Sequence, residues 1–260
     1  MGDFSAEWLA LREPFDHAAR AESLTREVLR GLGAAPAVLD LACGTGSNFR
    51  YLSRQPSLAD ADWLLVDHDR ALLTRVPHAP NVTVLQHDLQ TLDDRLFAGR
   101  SLVTASALLD LVSEQWLRDL ANRLWTQGAT VLFALSYDGR MTCEPEDSED
   151  ATIQDLVNRH QKTDKGFGPA LGPDAIACAV ELFDGLGYDV TTSTSDWVLG
   201  ATSSADLQRQ LIDGWAAAAM EMAPDRSALI GDWRARRLGH VSAARSVLTV
   251  GHQDLAGVSD

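Results

Sequence analysis

Residues Val38–Gly46, which read VLDLACGTG, form the stretch that decides the fold of this chain. An apolar run contains an acid, Asp40, and then breaks into a Gly-x-Gly turn at Gly44 and Gly46. Glycines let a backbone approach a ligand closely, and the helix after such a turn directs free N–H groups at that ligand. The stretch therefore predicts a strand, a nucleotide-binding turn and a helix that begins at Ser47.

The residues around this turn separate the possible cofactors. Dinucleotide-binding enzymes use the pattern G-x-G-x-x-G. Here Ala42 stands two residues before Gly44, and Phe49 stands three residues after Gly46. These departures disfavour a nicotinamide-dependent Rossmann oxidoreductase, which stays open as an alternative.

Two later apolar runs also end in acids. Residues 63–67 end in Asp67, which lies 21 residues after Gly46, and residues 82–89 include Asp88. An acid about 20 residues after the glycine turn binds ribose hydroxyls in Rossmann folds. Each acid alone has a second interpretation as a turn residue, because Asp is frequent after strands. Together, the order and spacing of the three acids favour a nucleoside-containing cofactor.

This series of motifs resembles the class I S-adenosylmethionine-dependent methyltransferases of small-molecule type, without indicating a subfamily. The resemblance implies that the glycines pass under the methionine part of S-adenosyl-L-methionine and that Asp67 accepts both ribose hydroxyls. It also implies that Asp88 binds the adenine amino group and that Leu89 offers a backbone amide. Residues 15–20 resemble the helix that many such enzymes lay over the cofactor. The cofactor-binding residues implied in this way are Asp40, Ala42, Cys43, Gly44, Gly46, Asp67, His68, Asp88, Leu89, Ser106 and Arg20.

The rest of the chain alternates between patterns typical of helices and of strands. A helix capped by Ser113 is predicted, and strands are predicted near residues 37–41, 63–67, 82–86, 102–108, 130–136, 188–198 and 246–252. This alternation predicts an α/β, Rossmann-like, doubly wound sheet of seven strands. In such sheets ligands bind beyond the carboxyl ends of the strands, where the acids lie.

We expect a single methyltransferase domain over residues 1–260. A helical cap insertion is expected between the last two strands, because these two strands form a hairpin in the resembling family. The predicted divisions are N-terminal helices (1–33), a cofactor-binding core (34–140), a substrate loop (141–172), the remainder of the sheet (173–200 and 245–260) and the cap (201–244).

Composition restricts the partners. The chain has 22 Lys and Arg against 37 Asp and Glu, a net charge of −15, which is unfavourable for binding a phosphate backbone. We therefore expect a small-molecule methyl acceptor and no nucleic acid. No apolar stretch reaches the roughly 18 residues of a membrane span, and the first eight residues show no secretory signal. Three scattered cysteines suggest neither disulfides nor a metal site, so a cytoplasmic enzyme is expected.

The polar segment 158–169 provides candidates on the acceptor side. Methyl transfer is an in-line displacement that depends on alignment, and a base is needed only when the acceptor is protonated. His160 is the leading candidate base, with hydrogen bonding to a backbone carbonyl as its alternative role. Tyr137 and Asp138 are the other catalytic candidates, because they follow the fifth strand. The acceptor-binding candidates are Asp164, Lys165, Phe167 and Trp215, for which surface ion pairing or core packing are the alternatives.

The predicted function is S-adenosylmethionine-dependent methyl transfer to a small molecule. Besides the oxidoreductase, a non-catalytic S-adenosylmethionine-binding protein stays open as an alternative. The sequence indicates neither the acceptor, nor whether oxygen, nitrogen or sulfur is methylated, nor the oligomeric state.

Overall fold

A computed structural model describes residues 4–259, and the predicted ranges that reach residues 1–3 and 260 extend beyond it. The strands of this part of the chain are β1 (Ala37–Leu41), β2 (Asp62–Asp67), β3 (Val82–Gln86), β4 (Leu102–Ser106), β5 (Thr130–Glu144), β6 (Tyr188–Thr194), β7 (Trp197–Leu199) and β8 (Val247–Ser259). The α-helices are α1 (Ala6–Ala19), α2 (Glu22–Arg30), α3 (Ser47–Leu52), α4 (Arg70–Leu73), α5 (Asp94–Phe97), α6 (Glu114–Gln127), α7 (Asp150–Gln161), α8 (Ala175–Gly185), α9 (Ala205–Met222) and α10 (Ser227–Ser242).

All strands belong to one sheet with the order β3-β2-β1-β4-β5-β8-β6, and β7 pairs separately with β8. The pairs from β3 to β5 are parallel, whereas β8 runs antiparallel to β5, β6 and β7. The predicted doubly wound α/β sheet is therefore confirmed. The chain reverses its direction of winding between β1 and β4, and ligands bind at such a switch point.

The predicted number of seven strands is wrong, because residues 4–259 form eight. The predicted sixth strand stops at Thr194 and resumes as the three-residue β7. The backbone N–H of Ser195 still donates to the His252 carbonyl, but the next side chain, Asp196, accepts the backbone N–H of His252 at 3.0 Å. At this point a hydrogen bond to the Asp196 side chain thus replaces a hydrogen bond between strand backbones. The chain then pairs again with β8 as β7.

The central strands β1, β2 and β4 are buried on both faces because helices cover each side, as is usual for parallel strands, whereas the edge strand β3 is mostly exposed. Side chains alternate along β1, so that Leu39 and Leu41 pack in the apolar cluster of α6 and α8, whereas Val38 packs in that of α2 and α3. A third apolar cluster joins the second half of β5 and β7 to α7, α9 and α10. This third cluster supports the acceptor side of the molecule described below.

The predicted substrate loop over residues 141–172 is largely regular structure. Strand β5 continues to Glu144, and α7 occupies Asp150–Gln161. The reason is that Ile153, Leu156 and Val157 form a buried stripe at helical spacing, which polar neighbours conceal in the sequence. The predicted cap of α6 is confirmed, since Ser113 Oγ accepts the Trp116 backbone N–H at 3.3 Å. Helices α9 and α10 lie within the range predicted for the cap, and within residues 4–259 no helix has the length and apolar character needed to cross a membrane.

Candidate active site

The glycine turn after β1 depends on backbone conformations that favour glycine. Gly44 and Gly46 have φ angles of 54° and 83°, and Ala42 also has a positive φ, of 52°. Asp67, at the end of β2, fastens this turn: its Oδ2 accepts the Gly44 backbone N–H at 2.8 Å, and its Oδ1 accepts that of Asp69 at 2.9 Å. One buried carboxylate therefore holds the ends of two neighbouring strands in register with each other.

A first cleft opens above this turn, with an empty volume of about 860 Å³ including its mouth. Its walls come from the ends of β1, β2 and β4 and from α1. The acids in the wall are Asp16, Asp40, Asp67 and Asp69, and Arg12 is the one Lys or Arg among its described lining residues. The cleft is thus acidic and suits a ligand that carries positive charge.

Asp40 lies at the bottom of the first cleft and is fully buried. Its Oδ1 accepts Asn48 Nδ2 at 2.7 Å, while its Oδ2 has no hydrogen-bond partner among the described residues. Burial raises the pKa of the Asp40 carboxyl to about 7. Asn48 itself is fixed because its Oδ1 accepts Arg20 Nη1 at 2.7 Å and its Nδ2 also donates to Thr104 Oγ1 at 3.1 Å.

Helix α1 covers the first cleft. A Cβ placed on Gly44 would come within 3.1 Å of the Leu9 side chain, which shows how closely the helix approaches the turn. The helix is anchored to α3 because His17 Nε2 lies 3.0 Å from the Ser47 carbonyl oxygen. Arg12 and Asp16, one turn apart on this helix, form a bidentate ion pair with contacts of 2.9–3.2 Å.

A second cleft, with an empty volume of about 920 Å³, adjoins the first. It lies between α1, the middle of β5, α7 and α9. Aromatic side chains form much of its wall, and they are Phe4, Trp8, Tyr137, Trp197 and Trp215. The two clefts share Phe4, Arg12, Ala107 and Leu111, so they meet along α1 and the segment after β4.

Two titratable side chains are buried in the wall of the second cleft. Asp110, on a 3-10 turn after β4, is 7% exposed, and its Oδ1 has no hydrogen-bond partner among residues 4–259. Burial raises the pKa of Asp110 to about 6. Burial lowers the pKa of His252 to about 4, so this imidazole is neutral at pH 7. Asp110 is therefore ionised and His252 uncharged under ordinary conditions.

The backbone between the clefts is held in unusual conformations. Ala107, directly after β4, has a φ angle of 53°. Leu135, within β5, has a φ angle of 55°. Leu135 lies where the pairing of β5 with β8 shifts register, and its N–H donates to Oδ1 of the fully buried Asp254 at 2.8 Å. Such conformations persist only where surrounding contacts fix them, and they are concentrated at functional sites.

The structure brings most of the predicted cofactor-binding residues together. The first cleft is lined by Asp40, Ala42, Cys43, Gly44, Asp67, His68 and Ser106. Gly46 is not part of the cleft lining, and a Cβ placed on it would lie 3.6 Å from the Val76 side chain. Burial raises the pKa of the Cys43 thiol well above its usual range, which makes Cys43 a wall residue without nucleophilic reactivity.

Besides Gly46, three further predicted cofactor residues lie outside the lining of the first cleft. Asp88 is exposed and accepts the Gln90 backbone N–H in a turn. Leu89 is a core residue whose carbonyl accepts Trp116 Nε1 at 2.6 Å. Arg20 is buried against Asn48, Asp254 and the Tyr51 ring, outside the lining of the first cleft. The arginine that reaches the cleft is Arg12.

On the acceptor side, Tyr137, His160 and Trp215 line the second cleft. The Tyr137 hydroxyl donates to Asn158 Oδ1 at 2.7 Å, and burial raises its pKa, so it stays protonated at neutral pH. His160 lies in the last turn of α7, with Nε2 3.2 Å from Glu221 Oε2 and Nδ1 3.4 Å from Lys165 Nζ.

The other predicted acceptor-side residues lie outside both clefts. Asp138 pairs with Arg140, whose Nε lies 2.8 Å away. Asp164 accepts the backbone N–H groups of two glycines in a turn. Lys165 donates to the His160 carbonyl at 3.1 Å, and Phe167 packs against Trp116 in the core, with ring centroids 5.4 Å apart. The contacts of Asp164, Lys165 and Phe167 order the segment after α7, whereas Asp138 pairs within β5.

Sequence reasoning missed Arg12, Asp110 and His252, all of which line the second cleft. A signal existed for Asp110: like the other acids it follows an apolar strand, but it stands four residues beyond the end of β4. Within residues 4–259, His, Cys, Asp and Glu side chains form no cluster of three suited to a metal ion.

Comparisons with known proteins identify the fold. No protein-family model matches the sequence, and no curated protein matches it significantly. Among solved structures, a cyclopropane-fatty-acyl-phospholipid synthase-like protein from Lactobacillus casei matches with a TM-score of 0.56 and 13% identity over 98% of this chain and 94% of that chain.

Two further structures match at a similar level. The plantazolicin methyltransferase BpumL, in complex with S-adenosylhomocysteine (SAH), matches with a TM-score of 0.51 and 12% identity over 98% of this chain and 88% of that chain. A cyclopropane synthase from Mycobacterium tuberculosis matches with a TM-score of 0.51 and 14% identity over 98% of this chain and 95% of that chain. The chain thus has the fold of the class I S-adenosylmethionine-dependent methyltransferases.

Proposed function

We propose that this protein transfers a methyl group from S-adenosylmethionine to a small-molecule acceptor. The observation that carries the proposal is the joining of the two clefts along α1 and the segment after β4, at Phe4, Arg12, Ala107 and Leu111. A group-transfer enzyme needs this arrangement, because donor and acceptor must meet in line with water excluded.

The donor set of the first cleft fits S-adenosylmethionine. Asp67 uses each carboxylate oxygen once toward a backbone N–H, and a carboxylate has about four lone-pair sites, so it can still accept ribose hydroxyls. The glycine turn leaves room above the backbone for the methionine part. The acidic wall suits a ligand with a sulfonium and an ammonium group, and it disfavours the diphosphate of a nicotinamide dinucleotide.

When bound, S-adenosylmethionine supplies a methyl group that is already activated by the positive sulfur. The residues of this chain then have the tasks of alignment and desolvation. Helix α1 covers the first cleft, and the aromatic wall of the second cleft holds the acceptor against Ala107 and Leu111. Enclosure by α1 and α9 excludes water from the junction of the two clefts.

Calorimetry on the purified chain tests the cofactor. S-adenosylmethionine and SAH should bind, whereas NAD and NADP should give no heat of binding at the same concentrations. Saturable binding of NAD or NADP in preference to SAH would contradict the proposal and favour the oxidoreductase.

Transfer of a labelled methyl group tests the acceptor class. Incubation with methyl-labelled S-adenosylmethionine and a fractionated metabolite extract should place label in the low-molecular-weight fraction, with none in tRNA, rRNA or DNA. Label in a nucleic-acid fraction would refute the small-molecule assignment. SAH binding with no transfer to any fraction would favour a non-catalytic binding protein.

A further inference from the structure

The strongest unassigned feature is the Asp110 carboxylate in the wall of the second cleft. The side chain is 7% exposed, and Oδ1 has no hydrogen-bond partner within the described residues. A buried carboxylate oxygen without a donor costs free energy unless a ligand supplies one. The fold therefore keeps one carboxylate oxygen, Oδ1, without a donor at this position, although backbone hydrogen bonds from Asp110 and Tyr137 act on the same carboxyl group.

The other charged groups near Asp110 are already engaged. Arg12, from α1, is held by Asp16 through contacts of 2.9–3.2 Å. Lys165, from the turn after α7, donates to the His160 carbonyl and to Thr163 Oγ1. His252, from β8, is neutral at pH 7 because burial lowers its pKa to about 4. Asp110 is thus the one carboxylate among the described lining residues of the second cleft, and no Lys or Arg donates a hydrogen bond to it.

The aromatic rings point to the same kind of ligand. Trp8, Tyr137 and Trp215 line the second cleft together with Phe4. Aromatic faces attract cations, and the face of a further ring, Trp197, already carries the Arg12 guanidinium 5.0 Å from its centroid. The wall therefore combines aromatic rings with a carboxylate that has one oxygen without a donor, a combination that recognises organic ammonium groups.

We propose that the methyl acceptor carries a basic amine and that its ammonium group pairs with Asp110 in the second cleft. This inference rests on the proposed function, whose second cleft it assigns to a substrate class. Asp110 is then a specificity-determining residue that orients the acceptor, and the aromatic wall shields the ion pair from water.

Binding of three probes of similar size tests the charge preference: 2-phenylethylamine, 2-phenylethanol and phenylacetate. Each is titrated calorimetrically into the full chain, with and without saturating SAH. The amine should bind at least about tenfold more tightly than the alcohol, since one charge-assisted bond accounts for that ratio, and phenylacetate should bind most weakly. Equal affinities for amine and alcohol, preference for phenylacetate, or no binding of the amine at millimolar concentration would each overturn the proposal.

Asp110→Asn keeps the side-chain shape and removes the charge. It should abolish the preference for the amine over the alcohol while leaving the SAH affinity within about threefold of wild type. The matched control is Glu221→Gln, which removes an exposed carboxylate beside His160 and should preserve the preference. A preference that survives in Asp110→Asn would refute the role of Asp110. Because the wild-type probe comparison does not require SAH to bind, failure of the proposed cofactor is detected separately from failure of the amine assignment.

Discussion

The first and second clefts each contain a buried carboxylate, but the two acids differ in what already binds them. Asp67 accepts backbone N–H groups at 2.8 and 2.9 Å through both of its oxygens, whereas Oδ1 of Asp110 lacks any partner among the described residues. The first carboxylate is therefore fixed by the backbone before a ligand arrives. The second also has backbone hydrogen bonds, from Asp110 itself and from Tyr137, but one of its oxygens, Oδ1, stays without a donor. A carboxylate fixed by the backbone, such as Asp67, suits a cofactor whose shape is constant. A carboxylate with a free oxygen, such as Asp110, suits an acceptor whose structure differs from one enzyme to another.

The largest effect is expected from breaking the fixed carboxylate. Asp67→Ala should weaken SAH binding by about a hundredfold, because two charge-assisted bonds to the ribose are lost at about 1.5–3 kcal/mol each and the turn loses its fastening. Isothermal titration calorimetry gives the dissociation constant, and the melting temperature of the ligand-free variant reports on the fold.

Asp88→Ala is the matched control, because that acid also follows a strand but lies exposed outside the first cleft. Its SAH affinity should stay within about threefold of wild type, as for surface groups in general. A large loss in Asp88→Ala would show that the adenine contact implied by the family resemblance forms in the complex. An unchanged affinity in Asp67→Ala would remove Asp67 from the site.

Asp40 sharpens the comparison, since it lies in the first cleft but, like Asp110, has one unpartnered oxygen. Burial raises the pKa of the Asp40 carboxyl to about 7. Between the ordinary pKa of Asp and about pH 7, the folded state therefore keeps a proton that the unfolded chain has released. Its contribution to stability is therefore full at low pH and is lost as the pH rises through about 7.

Asp40→Asn should accordingly leave the unfolding free energy unchanged at about pH 4 and raise it at about pH 8, by up to roughly 4 kcal/mol. Urea denaturation of both proteins across this range measures the difference. The control Asp88→Asn should show no such pH dependence. A constant offset between Asp40→Asn and wild type at every pH would mean that the carboxyl titrates outside this window.

The smallest effect is expected at His160. Both ring nitrogens already have neighbours, Glu221 at 3.2 Å and Lys165 at 3.4 Å, so the ring orders the end of α7. His160→Gln, which keeps a hydrogen bond but cannot take a proton, should retain turnover within about threefold. A loss of about a hundredfold with unchanged SAH affinity would instead establish His160 as a general base.

The first cleft could be predicted from the sequence because the backbone makes it. A glycine turn and strand-end acids such as Asp67 lie at fixed spacings, and the register of a parallel sheet then brings them together. Sequence spacing gives less information where side-chain packing decides the position of a residue. Arg20 lies in the segment that resembles the helix over the cofactor, but its side chain pairs in the interior with Asp254, which lies 234 residues later in the chain.

The second cleft could be predicted only in part, because distant parts of the chain build it. Trp215 and Tyr137 were found as aromatic residues, yet Arg12 and Asp110 share no local pattern with either. The polar sequence of α7 also hid a buried stripe, which made a helix resemble a loop. Spacing rules describe one element at a time, whereas this cleft depends on how four elements pack.

Arg12 and Phe4 contribute to the walls of both clefts. A ligand in one cleft therefore changes the surroundings that a ligand in the other cleft meets. Thermodynamic reciprocity requires that the factor by which SAH alters acceptor affinity equal the factor by which the acceptor alters SAH affinity. Through Phe4 and Arg12, we therefore expect the affinity for each ligand to depend on whether the other ligand is bound.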